Sequence, residues 1–122
     1  TMYVMSNTNY TSTYLTTSGT NLAASNATVG SDNYVTIEGN KIKSVAKNQY
    51  FYGNNGNVSF NNNGTNYDIT KNGDAYRISA SYWGSTYYLK QTNNTAVSMN
   101  RNNNGNNNWY FYEVKKEYKV VE

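Results

Sequence analysis

The chain is 122 residues long, enough for one hydrophobic core, and contains neither Cys nor His, which excludes disulfides, thiolate metal sites and imidazole acid–base chemistry. Its net charge of +3 comes from 10 basic and 7 acidic side chains with no basic stripe interleaved with aromatics, so nucleic acid is not expected as a partner. Charged residues make up 14% of the chain, against about 25% in an ordinary soluble domain, and Asn fills about a fifth of all positions, so neutral amides and hydroxyls carry the solubility.

The 14 Tyr, with Thr, Val and Ile, suit pleated, half-buried surfaces, and an all-β chain is expected. In chain order, the first predicted strand is Met2 to Ser6. A hairpin from Tyr14 to Ala24 sets Leu15 against Leu22 and Ala24 across a turn at Ser18-Gly19. Tyr34 to Ile42 carries Val35 and Ile37 and turns at Glu38-Gly39-Asn40. Tyr52 to Phe60 turns at Asn55-Gly56, with Phe51 opposite Val58 and Phe60. Tyr67 to Ile78 carries Ile69 and reverses over Lys71-Asn72-Gly73-Asp74. Ser79 to Thr86 reads as a polar connection holding Tyr82-Trp83-Gly84. Tyr88 to Met99 sets Leu89 against Val97 and Met99 across Asn93-Asn94. The strand Trp109 to Val114 is expected to pair with Met2 to Ser6, and 115–122, with Tyr118 and Val120, forms a terminal strand or a connection to a neighbouring domain. Asn-Gly steps at 55–56, 63–64, 72–73 and 104–105 supply the positive φ that tight turns demand. Such regular apolar spacing argues against an Asn-rich disordered tract.

The same pattern recurs three times: Leu15, Leu22 and Ala24, then Tyr34, Val35 and Ile37; Phe51, Val58 and Phe60, then Tyr67 and Ile69; Leu89, Val97 and Met99, then Trp109 and Phe111. A period of roughly 37 residues is one supersecondary unit, too small to bury its own apolar face, so three units share a core. Residues 1–122 form a single domain with repeats near 2–40, 41–74 and 75–114. About twelve strands are expected, as three barrel hairpins and three capping hairpins. An immunoglobulin-like β-sandwich also uses short strands, but lacks threefold repetition.

This triplicated arrangement resembles the β-trefoil, and within it the ricin-type lectin superfamily. Asn108-Trp109-Tyr110-Phe111 closes the third unit as the Gln-x-Trp motif closes ricin-type units, while Tyr34 or Val35 and Tyr67 occupy the corresponding positions of the other two. The resemblance implies a non-catalytic carbohydrate-binding module, with shallow pockets built from an aromatic platform and polar loop side chains, at most one per unit.

The residues suit that chemistry, because sugars present C–H faces to aromatic rings and hydroxyls to amides and carboxylates. Trp83 and Tyr82, beside Gly84, are the leading platform, and Tyr10 holds the matching place in the first unit. Asp32 and Asp74, each beside Asn and Gly, and Asn93 in the third-unit turn are candidate polar ligand contacts. Trp109 is assigned to the core. Asp32, Asp68 and Asp74 lack calcium-loop spacing, and no cofactor or metal is expected. None of the acidic residues stands in an apolar setting that would raise its pKa, so a glycosidase is not expected. The five Asn-x-Ser/Thr sequons, at Asn9, Asn26, Asn57, Asn63 and Asn93, match chance for so Asn-rich a chain. No apolar run approaches a membrane span, so direct membrane insertion is not expected. The composition suits an excised extracellular or cell-surface module of a bacterial or phage protein, whose partner is a glycan or, alternatively, a surface protein met by an adhesin or spacer domain.

Overall fold

The computed structural model describes residues 1–102, 105–115 and 120, so the predicted segment 115–122 lies outside the described residues except for Lys115 and Val120. Twelve strands appear among the described residues. The first unit comprises β1 (Tyr3–Asn7), β2 (Tyr14–Thr16), β3 (Ala23–Ser25) and β4 (Val35–Glu38), with one 3₁₀ turn at Ser31–Asn33. The second comprises β5 (Lys41–Ser44), β6 (Gln49–Tyr52), β7 (Ser59–Asn61) and β8 (Asp68–Asn72), and the third β9 (Ala75–Tyr82), β10 (Ser85–Gln91), β11 (Val97–Asn100) and β12 (Asn108–Glu113).

All strand pairs are antiparallel. The last strand closes on the first as expected, β12 running beside β1 with Tyr3 opposite Glu113, Met5 opposite Phe111 and Asn7 opposite Trp109. β1 also meets β4, β4 pairs with β5, β8 with β9, and β9 with β12. The barrel closes between the second unit's outer strands where the Tyr67 N–H donates to the Asn40 carbonyl at 2.9 Å. The hairpins β2–β3, β6–β7 and β10–β11 set Leu15 against Ala24, Phe51 against Phe60 and Leu89 against Met99, three equivalent pairs.

These capping hairpins are joined in a closed triangle by backbone hydrogen bonds. Leu22 N–H donates to the Val58 carbonyl at 2.7 Å, Ala24 N–H to the Thr95 carbonyl at 3.0 Å, and Gly56 and Met99 exchange N–H bonds at 2.9 and 2.7 Å. Buried amides add a further tie between the first and third units. Asn7 Nδ2 donates to the Asn106 carbonyl at 2.9 Å, and Gln91 Nε2 to Thr13 Oγ1 at 2.9 Å.

The core is threefold in the same register. Met5, Ile42 and Ile78 form one set, Leu15, Phe51 and Leu89 a second, Leu22, Val58 and Val97 a third, and Val35, Tyr67 and Trp109 a fourth, all buried. Each such side chain contributes about 1.5–3 kcal/mol by leaving water. Trp109, fully buried, is a core residue and donates its Nε1–H to the Leu89 carbonyl at 2.9 Å; Tyr67 solves the same burial problem by donating its hydroxyl to the Gly53 carbonyl at 2.6 Å. A six-stranded barrel capped by a triangle of three hairpins, repeated in three units, is the β-trefoil.

Turn chemistry departs from the sequence reading. Asn55-Gly56 does not make a tight hairpin turn: Tyr52 pairs with Ser59 across a longer loop, and Gly56 is used for the bridge to Met99. Asn63-Gly64 instead completes a local turn in which Asn61 Oδ1 accepts the Gly64 N–H at 2.7 Å. The two-residue reversals are Gly39-Asn40, Gly73-Asp74 and Trp83-Gly84. The last of these replaces the predicted polar connection at Ser79 to Thr86 by a β-hairpin, because β9 and β10 remain paired out to Tyr82 and Ser85.

Candidate functional site

The long β9–β10 hairpin is the feature that breaks threefold equivalence. Its counterpart β5–β6 pairs over only two positions, Lys43 with Tyr50 and Ser44 with Gln49, whereas β9–β10 pairs over four, from Ser79 with Tyr88 to Tyr82 with Ser85. At its tip Trp83 has φ 48 and Gly84 φ 76, so both central residues are left-handed, as a type I′ turn requires. Glycine accepts that backbone without cost; tryptophan does not, and the strain is of order 1–2 kcal/mol. Trp83 is nevertheless 87% exposed, so burial of its ring does not offset the strain. A strained, exposed indole makes this tip the candidate site.

Behind the tip the aromatic surface continues. Tyr82 stands edge-to-face to Trp83 with ring centroids 6.2 Å apart, and edge-to-face to Tyr87 at 5.8 Å. Tyr87 in turn lines a polar recess of about 390 Å³ with Asn55, Met99, Asn100, Arg101 and Asn102. The reciprocal Gly56–Met99 bond is what carries Asn55 of the second unit beside Asn100 and Arg101 of the third. Asn100 Oδ1 accepts the Asn102 N–H at 2.9 Å, which sets Arg101 at the apex of the turn.

A second polar recess, of about 380 Å³, belongs to the first unit and is lined by Thr16, Ser25, Thr28, Asp32 and their neighbours. The Asp32 side chain is exposed here, while its backbone carbonyl accepts both the N–H and the hydroxyl of Thr17, each at 2.9 Å. A third recess, of about 290 Å³, is apolar and lies at the opposite end of β9 from Trp83, among Tyr3, Ile37, Gly39, Ile69, Tyr76 and Phe111.

Trp83 and Tyr82 are thus brought together with one another and with Tyr87. The remaining candidates are dispersed. Tyr10 is half-buried in the β1–β2 connection, and its carbonyl closes a turn by accepting the Thr13 N–H at 3.0 Å. Asp74 is exposed in the β8–β9 reversal at the barrel end away from Trp83. The Asn93 side-chain oxygen accepts from the N–H groups of Thr95 at 2.9 Å and Ala96 at 2.8 Å, so it is occupied in shaping its own turn. Tyr87, Asn55, Asn100, Arg101 and Asn102 escaped the sequence reading. For Tyr87 a signal exists, its alternation with Leu89 and Gln91; for Asn55 none does, because its neighbours come from another unit.

Among the described residues there is no group of three or more acidic side chains placed to hold a metal ion, and no helix is long and apolar enough to cross a membrane.

Comparison with known proteins supports the architecture. The chain is similar to the solved structure described as SeviL bound to asialo-GM1 saccharide, with a TM-score of 0.72 over 93% of this chain and 98% of that one. Sequence identity is 10%, so the likeness is one of fold. No protein-family model matches the chain, and no curated protein matches its sequence.

Proposed function

We propose that this β-trefoil is a non-catalytic carbohydrate-binding module of ricin-type lectin character, belonging to a secreted or surface-anchored bacterial protein. The observation that carries the reading is Trp83, an 87% exposed indole held on a strained turn and continuous through Tyr82 and Tyr87 with an amide-lined recess. An aromatic face packs on the C–H face of a pyranose while Asn side chains both donate to and accept from its hydroxyls. Binding of a saccharide by a protein of the same architecture, the asialo-GM1 complex of SeviL, supports the ligand class.

The alternative reading, a protein-binding adhesin or spacer, favours a flat and contiguous apolar face. The large exposed apolar residues among the described ones, Val29, Val45, Tyr52, Trp83, Tyr112 and Val120, stand on separate stretches of the chain instead, and the polar recesses of the first and third units are distinct. The proposed ligand class and the Cys-free, amide-rich composition support a place outside the cell.

The test is a glycan array screened with the wild type and Trp83→Ala, both checked for fold by far-UV circular dichroism. Saccharide binding by the wild type, lost on the substitution, is expected. A folded wild type silent across the array overturns the reading and favours the adhesin.

A further inference from the structure

The third-unit recess has a charge character that its amides alone do not explain. Arg101 is exposed, lines the recess beside Asn100 and Asn102, and engages in neither a hydrogen bond nor an ion pair among the described residues. Among the described residues no carboxylate lines the recess. The ion pair found among the described residues, Lys43 with Glu38 at 3.9 Å, joins β4 of the first unit to β5 of the second. A second cation stands close by. Lys90 is 2% exposed, and its Nζ donates to the carbonyl of Asn102, one of the recess residues, at 2.5 Å. A buried ammonium normally has a carboxylate partner, and Lys90 has none among the described residues.

Burial lowers the Lys90 pKa from its ordinary value, the direction expected of a cation held away from water without a counter-charge. The Lys90 ammonium, reaching from β10, and the Arg101 guanidinium therefore meet at the turn after β11, and no acidic side chain among the described residues pairs with either. Arg101 and Asn102 both line the recess whose wall is Tyr87.

We propose that this recess selects an acidic saccharide, taking the carboxylate or sulfate of a charged sugar on Arg101 while Trp83, Tyr82 and Tyr87 support the neighbouring ring. The inference rests on the carbohydrate reading above and goes beyond it by naming the substrate class. The guanidinium fork matches the two oxygens of a carboxylate or sulfate, and Asn55, Asn100 and Asn102 serve the hydroxyls around it. Because Arg101 is open to solvent, its contribution is sensitive to ionic strength, whereas ring stacking is not.

The experiment measures affinity by isothermal titration for matched pairs: a sialylated oligosaccharide and its desialylated form, a glucuronide and its glucoside, a sulfated and an unsulfated galactoside. Wild type, Arg101→Ala, Arg101→Lys and Trp83→Ala are compared. The acidic member is expected to bind at least about tenfold more tightly, a preference that falls as salt is raised. Arg101→Ala should remove the preference, bringing the acidic sugar down to the level of its neutral partner. Arg101→Lys should recover part of the preference, and Trp83→Ala should weaken both members. The carboxylate and sulfate pairs distinguish the two anion sources, a preference in either pair supporting the proposal. Equal binding of acidic and neutral sugars, or a preference that survives Arg101→Ala in a folded protein, overturns it while leaving the carbohydrate reading intact. Absence of binding to every saccharide overturns both.

Discussion

At the scale of single residues, the high Asn content is put to structural use as well as to solubility. Asn side chains close local turns, as Asn7 does for Asn9, Asn61 for Gly64 and Asn93 for Ala96, and they tie units together, as Asn7 does by donating to the Asn106 carbonyl. Trp83 is the residue whose local preference conflicts most with its place. Trp83→Asn, which turns the tip into an Asn-Gly type I′ reversal, is expected to stabilise the fold by roughly 1 kcal/mol while removing saccharide binding. Chemical denaturation checks this; a loss of stability would show that the indole packs to greater benefit than its backbone costs.

Tyr67 gives the molecule an alkaline limit. Burial holds its hydroxyl well above the ordinary 10.0, an effect the Thr65 side chain partly offsets. A group raised in the folded state lends stability that is complete below the unfolded value and declines as pH rises past it, so unfolding free energy should fall above about pH 10. Lys90 works in the opposite sense, its penalty relaxing as pH approaches the ordinary 10.5. Tyr67→Phe should cost about 1 kcal/mol at neutral pH, from the lost bond to Gly53, and flatten the alkaline decline. Urea titrations at pH 7 and near pH 10.5 read both effects.

At the scale of elements, the strands were legible because each carries its own apolar alternation, and Leu15, Phe51 and Leu89 all reach the core from their predicted hairpins. The β9–β10 tip was not, because a Trp in a left-handed turn is the opposite of a turn signal. The β6–β7 loop was misread for a related reason: an Asn-Gly step specifies positive φ at Gly56, whereas the loop length around it is set by the bond to Met99 in another unit. Its entry is tightly fixed. Gly53 has φ 147, and a Cβ there would lie 2.6 Å from the Asn57 carbonyl oxygen. Gly53→Ala should therefore cost roughly 1–3 kcal/mol and withdraw Asn55 from the recess, lowering saccharide affinity together with thermal stability. Unchanged melting and binding would show that the loop relaxes around the added methyl.

At the scale of the whole molecule, stability is collective. Each capping hairpin donates or accepts a backbone bond to both others, and β1 closes on β12 from the far end of the chain. The chain should unfold in one transition, with near-UV and far-UV signals coincident, and residues 41–74 excised alone should show no stable strand signal. Two separated transitions would mean that the units hold partial cores of their own.

The sequence by itself determined the number of units, the all-β class, the identity of most core residues and the pairing of the first strand with the last. Those properties are local: alternation of apolar with polar side chains assigns each strand a buried face, and a threefold period forces three such faces onto one core. Tertiary structure alone decided where the candidate site stands. Asn55, Tyr87, Asn100 and Arg101 share one recess only because hydrogen bonds between capping hairpins of different units hold it together, and packing alone sets the Lys90 ammonium against the Asn102 carbonyl, with no carboxylate beside it among the described residues. Contacts between distant segments and the electrostatics they create depend on distance in space, which the periodicity of a strand does not encode.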